Sequence, residues 1–88
     1  MTSLEELRTQ LSDVDDQITD LYEKRMKICE DLGTCKIKNG YKTFDRQREK
    51  NKIAEVMGKV SSDFNKKGIG EVYELLLAIS RKLQYKQL

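Results

Sequence analysis

Arg25 interrupts an otherwise apolar row, and that position says most about the chemistry open to this 88-residue chain. Leu4, Leu7, Leu11, Val14, Ile18, Leu21, Arg25, Ile28, Leu32 and Cys35 follow one another at alternating steps of three and four, the spacing of the buried stripe of a coiled-coil-like helix. A guanidinium in such a stripe is costly unless something anionic meets it. Either a side chain or a ligand must neutralise Arg25. Lys36 stands three turns further on at nearly the same azimuth, about 16 Å along the axis, and both side chains are long enough to lean into a cavity between them. Glu49 shares the inward face of Ile53 and Val56, and Ser80 and Gln84 form an i, i+4 pair continuing a row from Tyr73 and Leu77. Cations, a carboxylate and neutral donors on three inward faces suit a pocket for a small polyanion. Each residue also has a plainer reading. Asp45 can serve only as a helix cap, Glu49 can pair only with Lys52 or Lys36, and Ser80 can bond only to its own helix.

Arg8 flanks the same stripe seventeen residues before Arg25, about 25 Å away on one rod. A single metabolite cannot touch both within one chain. Across an antiparallel dimer, the Arg8 of one subunit approaches the Arg25 of the other, giving two interfacial sites that each borrow an arginine. The alternative is a solvated first-turn residue paired with Glu5.

These side chains need helices to position them, and the composition provides for helices alone. Proline and tryptophan are absent, there are five glycines, and charged and apolar residues are finely interleaved. An all-α chain of one domain, 1–88, is expected. Ser3 and Glu6 form a capping box, and the first helix is expected to run to about Lys38, where Asn39 and Gly40 supply a stop. Gly33 weakens it locally without ending it. A loop from Tyr41 to Phe44 leads to a second helix capped by Asp45, with Ile53, Val56, Met57, Val60 and Phe64 on its apolar face. Asn65 to Gly70 reads as a turn, and a third helix carries Ile69, Val72, Leu76, Ile79 and Leu83. Gln84 falls in its last turn, where fraying is expected to leave the amide ordered only around a bound ligand.

Length then bears on assembly. A helix from Leu4 to Lys38 is about 50 Å long, whereas a compact domain of this size has a radius of gyration of about 12 Å. Two shorter helices cannot cover such a seam, and a monomer would expose a large apolar patch. An obligate homodimer with its long helices packed together is expected; a break at Gly33 or Asn39 would instead give a monomeric three-helix bundle. The net charge of +2, with both signs mixed along the chain, contains no basic tract for nucleic acid or a membrane surface. No apolar run approaches a membrane span, and the N-terminus is polar rather than signal-like. Cys29 and Cys35 lie about 9 Å apart along the helix, beyond disulfide reach. They are read as free thiols and small core residues of a cytoplasmic protein. The lack of histidine removes the commonest metal ligand and the usual general base; no metal and no cofactor are expected.

Taken in order, the Leu4–Arg8 segment, Val14 to Ile18, Arg25, Lys36, Asp45 with Arg48 and Glu49, and Ser80 with Gln84 resemble the all-helical (AroQ-type) chorismate mutase family over essentially the whole chain. The resemblance implies an intertwined three-helix homodimer that rearranges chorismate to prephenate for phenylalanine and tyrosine biosynthesis. It further implies that Arg8 of the partner subunit and Arg25 hold the two substrate carboxylates. Lys36 contacts the side-chain carboxylate and the ether oxygen, and Gln84 donates to that oxygen from the other side. Glu49, with the backbone near Asp45, accepts from the ring hydroxyl; Arg48 orients the site, Ser80 reaches a carboxylate, and Leu32 and Leu77 wall the ring. Such an isomerisation moves no proton, so the chain's lack of histidine is no objection. Two other readings stay open: an enzyme on the same scaffold eliminating pyruvate from isochorismate, and a non-catalytic helical dimer serving as a binding or regulatory module.

Overall fold

The computed structural model describes residues 3–42 and 44–86 and contains three helices: α1 (Leu4–Lys38), α2 (Arg46–Met57) and α3 (Asp63–Tyr85). No strand occurs among the described residues. Thr43, inside the expected Tyr41–Phe44 loop, lies outside them, as do residues 1, 2, 87 and 88.

The first helix begins as its sequence requires. The Ser3 hydroxyl accepts from the Glu6 amide at 3.1 Å, and the Glu6 carboxylate accepts from the Ser3 amide at 3.2 Å. Two otherwise orphaned donors are thereby satisfied. Glu5 and Glu6 in the first turn and Lys36 and Lys38 in the last complement the helix dipole. The far end closes around Gly40, whose φ of 73° is left-handed. Through that turn the Tyr41 amide reaches back to the Lys36 carbonyl at 2.8 Å. Asp45 caps α2 by accepting from the Arg48 amide at 3.1 Å.

The connection between α2 and α3 differs from expectation. α2 stops at Met57, and Ser62 caps α3 by accepting from the Asn65 amide at 3.0 Å, so Asn65 to Gly70 is helix and the turn spans 58–62. Phe64 consequently lies in the first turn of α3, 87% exposed, and not on the face of α2. Two glycines inside α3 cost about 1 kcal/mol each in propensity, but the Ser62 cap and the contact with α2 offset this. A Cβ at Gly70 would lie 3.2 Å from Met57 Sδ. The Lys66 ammonium also donates to the Met57 carbonyl at 3.4 Å, tying the end of α2 to the start of α3.

α3 is the central element: it packs against α1 on one side and α2 on the other, while α1 and α2 do not pack directly together. The chain is elongated, 57 × 25 × 15 Å, with a radius of gyration of 16.3 Å, against about 12 Å for a compact domain of this length. Among the described residues no large side chain is fully buried. Along α1, Leu4, Leu7, Leu11, Val14, Ile18, Leu21 and Ile28 are all exposed in the single chain. The third helix covers only the C-terminal part of α1, and there the inward row is shifted by one residue from the apolar seam. Ile28 is 59% exposed while Cys29 is 8% exposed. Cys35, expected in a core, is also exposed; both thiols are free.

Candidate active site

A cleft of about 200 Å³ opens where the C-terminal part of α1, the start of α2 and the end of α3 converge. From α1 it is lined by Arg25, Cys29, Leu32 and Lys36, which recur at steps of four, three and four and so form one row. Asp45, Arg48 and Glu49 approach from the cap and first turn of α2, and Leu77, Ser80, Arg81 and Gln84 from α3. Every residue expected at the site is therefore in the cleft except Arg8. Arg8 is exposed near the start of α1, beside Glu5 and Thr9, about 25 Å from Arg25 by helical rise.

Arg25 is half-buried and its partners are neutral. Its Nη1 donates to Ser80 Oγ at 2.7 Å and to Cys29 Sγ at 3.6 Å, and its guanidinium carbon lies 5.8 Å from the centre of the Tyr73 ring. Ser80 Oγ in turn donates to the Leu76 carbonyl at 2.8 Å and accepts a weak bond from the Cys29 thiol at 3.5 Å. The serine thus bonds to its own helix, as the plainer reading held, and also fixes the arginine. Among the described residues Arg25 forms no ion pair. Its charge is oriented without being neutralised, which leaves it available to an anion.

Lys36 and Gln84 meet at the other end of the cleft, the lysine Nζ donating to Gln84 Oε1 at 3.2 Å. An ammonium can only donate, so the amide oxygen must face it and the amide NH2 is left to donate elsewhere. The expected fraying of this turn is not seen. Gln84 is 6% exposed because α1 and α3 approach closely here: a Cβ built on Gly33 would lie 3.1 Å from Gln84 Cα and Cγ. The glycine that weakens α1 lets α3 come close enough to seat the glutamine beside Lys36.

The carboxylate of Glu49 pairs with neither of the lysines considered for it in sequence. It accepts from Arg81 Nη1 across the α2–α3 contact, while Lys52 pairs with Glu55. Arg81 was not anticipated, although a signal existed: Leu77, Ser80, Arg81 and Gln84 occupy i, i+3, i+4 and i+7, one face of a helix. Cys29 was likewise missed as a lining residue, since it falls one position off the seam. Asp45 both caps α2 and lines the cleft. Arg48, exposed, completes a set of four cations against two carboxylates, an excess of positive charge suited to a polyanion. On the outer face of α2, hydrogen bonds from Lys52 and then Lys59 hold the Glu55 carboxyl below the ordinary carboxylate range; it takes no part in the cleft. Among the described residues no cluster of three or more His, Cys, Asp or Glu could hold a metal ion, and no helix is long and apolar enough to cross a membrane.

Three helices converging on a cation-rich cleft, with no strand among the described residues, define an all-helical enzyme of the kind that grips a small anionic substrate. The chorismate mutase type II family model matches residues 7–85, and the chain belongs to that family of isomerases, whose substrate is chorismate. Comparison with curated proteins finds no match.

Proposed function

We propose that the cleft is where chorismate is rearranged to prephenate, and that it is completed by Arg8 of the partner subunit in a homodimer. The observation that carries this is Arg25: half-buried, oriented by Ser80, Cys29 and Tyr73, and met by no carboxylate among the described residues. A substrate carboxylate supplies the missing anion. The second carboxylate falls to the partner's Arg8, and two such clamps hold the flexible enolpyruvyl arm over the ring.

The reaction is an intramolecular [3,3] shift in which the ether carbon–oxygen bond breaks as a carbon–carbon bond forms. Negative charge grows on the ether oxygen as that bond lengthens. Lys36 is cationic, and the orientation of the Gln84 amide presents its NH2, so the pair forms a two-donor site for that oxygen. Glu49 accepts from the ring hydroxyl near the Asp45 cap, Arg48 orients the site, Ser80 reaches a carboxylate, and Leu32 and Leu77 wall the ring. No group in this inventory has to gain or lose a proton.

Dimerisation is supported by the exposed seam. Burying each of its leucines, isoleucines and valines is worth about 1.5–3 kcal/mol. Over two chains that outweighs an association cost of about 4–15 kcal/mol. The free thiols, Cys29 and Cys35, suit a reducing cytoplasm, where the product would enter phenylalanine and tyrosine biosynthesis.

The test is turnover of chorismate by purified protein, with prephenate identified as product and isochorismate run in parallel. Prephenate is expected, and its formation is lost in Arg25→Ala. Pyruvate released from isochorismate instead would make the enzyme a lyase; turnover of neither would make Arg25 structural. The trans assignment has its own assay. Arg8→Ala and Arg25→Ala, each inactive alone, should recover about a quarter of wild-type activity when refolded together. Half the dimers are then mixed, each with one intact site. No recovery would mean that Arg8 does not act in trans, and an Arg8→Ala enzyme that stays active would place Arg8 outside the site.

A further inference from the structure

Arg81 is the cleft residue to which nothing above gives a role. It follows Ser80 and precedes Gln84 by three, so it stands on the same strip of α3 as two groups proposed to meet substrate. Its Nη1 donates to Glu49 Oε1, and its guanidinium carbon lies 4.9 Å from the centre of the Phe44 ring. The side chains of Arg81 and Glu49 are 33% and 21% exposed. The guanidinium is thus held on two sides, by an aromatic face and by a carboxylate. Phe44 and Glu49 come from opposite sides of the α2 cap and Arg81 from α3, so three separate segments set the position of one carboxylate.

We propose that Arg81 is a positioning residue: it fixes Glu49 by one carboxylate oxygen so that the other accepts from the ring hydroxyl, and thereby sets the preference for substrates carrying that hydroxyl. The inference rests on the assignment of Glu49 to the ring hydroxyl. The chemistry follows from the inventory of each group. An ionised carboxylate offers acceptors on both oxygens; Arg81 engages Oε1, and the acceptor capacity of Oε2 remains. Without the arginine, Glu49 is a flexible side chain that must be ordered each time substrate binds. Discrimination by a polar group is strong only when the group is held in place, because only then does losing its partner cost something.

The experiment compares Arg81→Met, Arg81→Lys and Glu49→Gln, each on chorismate and on an analogue lacking the ring hydroxyl, with dimer mass and thermal unfolding measured alongside. Arg81→Met is expected to lower kcat/KM for chorismate by about 10- to 100-fold and to leave turnover of the analogue nearly unchanged, narrowing the preference between the two. Arg81→Lys restores part of the preference, since a lysine still meets the carboxylate but lacks the planar fork. Arg81→Met in a Glu49→Gln background adds little further loss, as expected of two residues acting as one unit. Equal losses by Arg81→Met on both substrates, or none on either, with Glu49→Gln still collapsing the preference, would overturn the role of Arg81 and leave that of Glu49 standing. If Glu49→Gln itself leaves the preference intact, the Glu49 assignment fails and the role of Arg81 fails with it.

Discussion

The two ends of α1 obey the same periodicity and are built for different purposes. From Leu4 to Leu21 the inward positions are uniformly apolar, and in the single chain all are exposed. From Arg25 to Lys36 the row turns polar at both ends, shifts by one residue from Ile28 to Cys29, and is covered by α3. A regular apolar stripe means that a face is to be buried without saying by what. Breaks in that stripe carry the chemistry, because a polar group retained on an inward face needs a partner. On the dimer proposed above, the first half of the helix would be an assembly surface, whereas the second half is one wall of a cleft.

That contrast is most severely tested by putting a charge in the first half. Leu11→Asp should leave α1 helical but destroy association, since an isolated carboxylate buried between two long helices costs several kcal/mol. Turnover should fall by more than about 100-fold, because the arginine clamp proposed to act in trans would be lost with the dimer. Sedimentation and chorismate turnover measured on the same samples decide it, with Thr9→Asp on the exposed flank as the control. A Leu11→Asp variant that stays dimeric and active would mean that the first half of α1 is not the interface.

The converse change belongs to the second half. Lys36→Ala removes one of the two donors proposed for the ether oxygen, a loss expected to cost about 3–4 kcal/mol of barrier, or a factor of about 10²–10³ in kcat. The dimer should persist, since Lys36 lies off the exposed seam. If kcat stays within a few-fold of wild type, the ether oxygen is stabilised by something else.

Sequence and structure agree where local rules dominate and part where long-range contacts do. The capping box of Ser3 and Glu6, the stop at Gly40 and the Asp45 cap rest on bonds between residues a few positions apart, and all three were legible. The segment expected as a turn, Asn65 to Gly70, is helix because the Ser62 cap and the close packing of Gly70 on Met57 outweigh its two glycines. Of the cleft residues, Arg25, Lys36, Glu49, Ser80 and Gln84 are legible as polar exceptions on inward faces, Asp45 as a helix cap, and Arg48 through the family resemblance alone. The pairings between them were not. Glu49 with Arg81 spans 32 residues and Lys36 with Gln84 spans 48, so neither follows from helical spacing. Arg81 escaped notice for a related reason: an arginine near the end of a helix reads as a solvated charge until its partner on another helix is known.

The smallest expected effect is the most discriminating, because it separates the cleft from the helix that carries it. Gly33→Ala improves helix propensity by about 1 kcal/mol. Yet the new methyl would sit 3.1 Å from Gln84 Cα and Cγ and 3.2 Å from its Cβ, so the backbone of α3 has to yield by a few tenths of an ångström. Thermal stability should therefore change little, since propensity gained offsets crowding introduced. Gln84 should move away from Lys36, weakening the two-donor arrangement and lowering kcat by about ten-fold with little change in KM, as expected of a group that matters in the transition state. Gly33→Ser should lower kcat further, its hydroxyl adding bulk at the same point. A Gly33→Ala enzyme that is more stable and equally fast would show that α3 relaxes freely at its end. The seating of Gln84 would then depend on the bond from Lys36 and not on the close approach of the two helices.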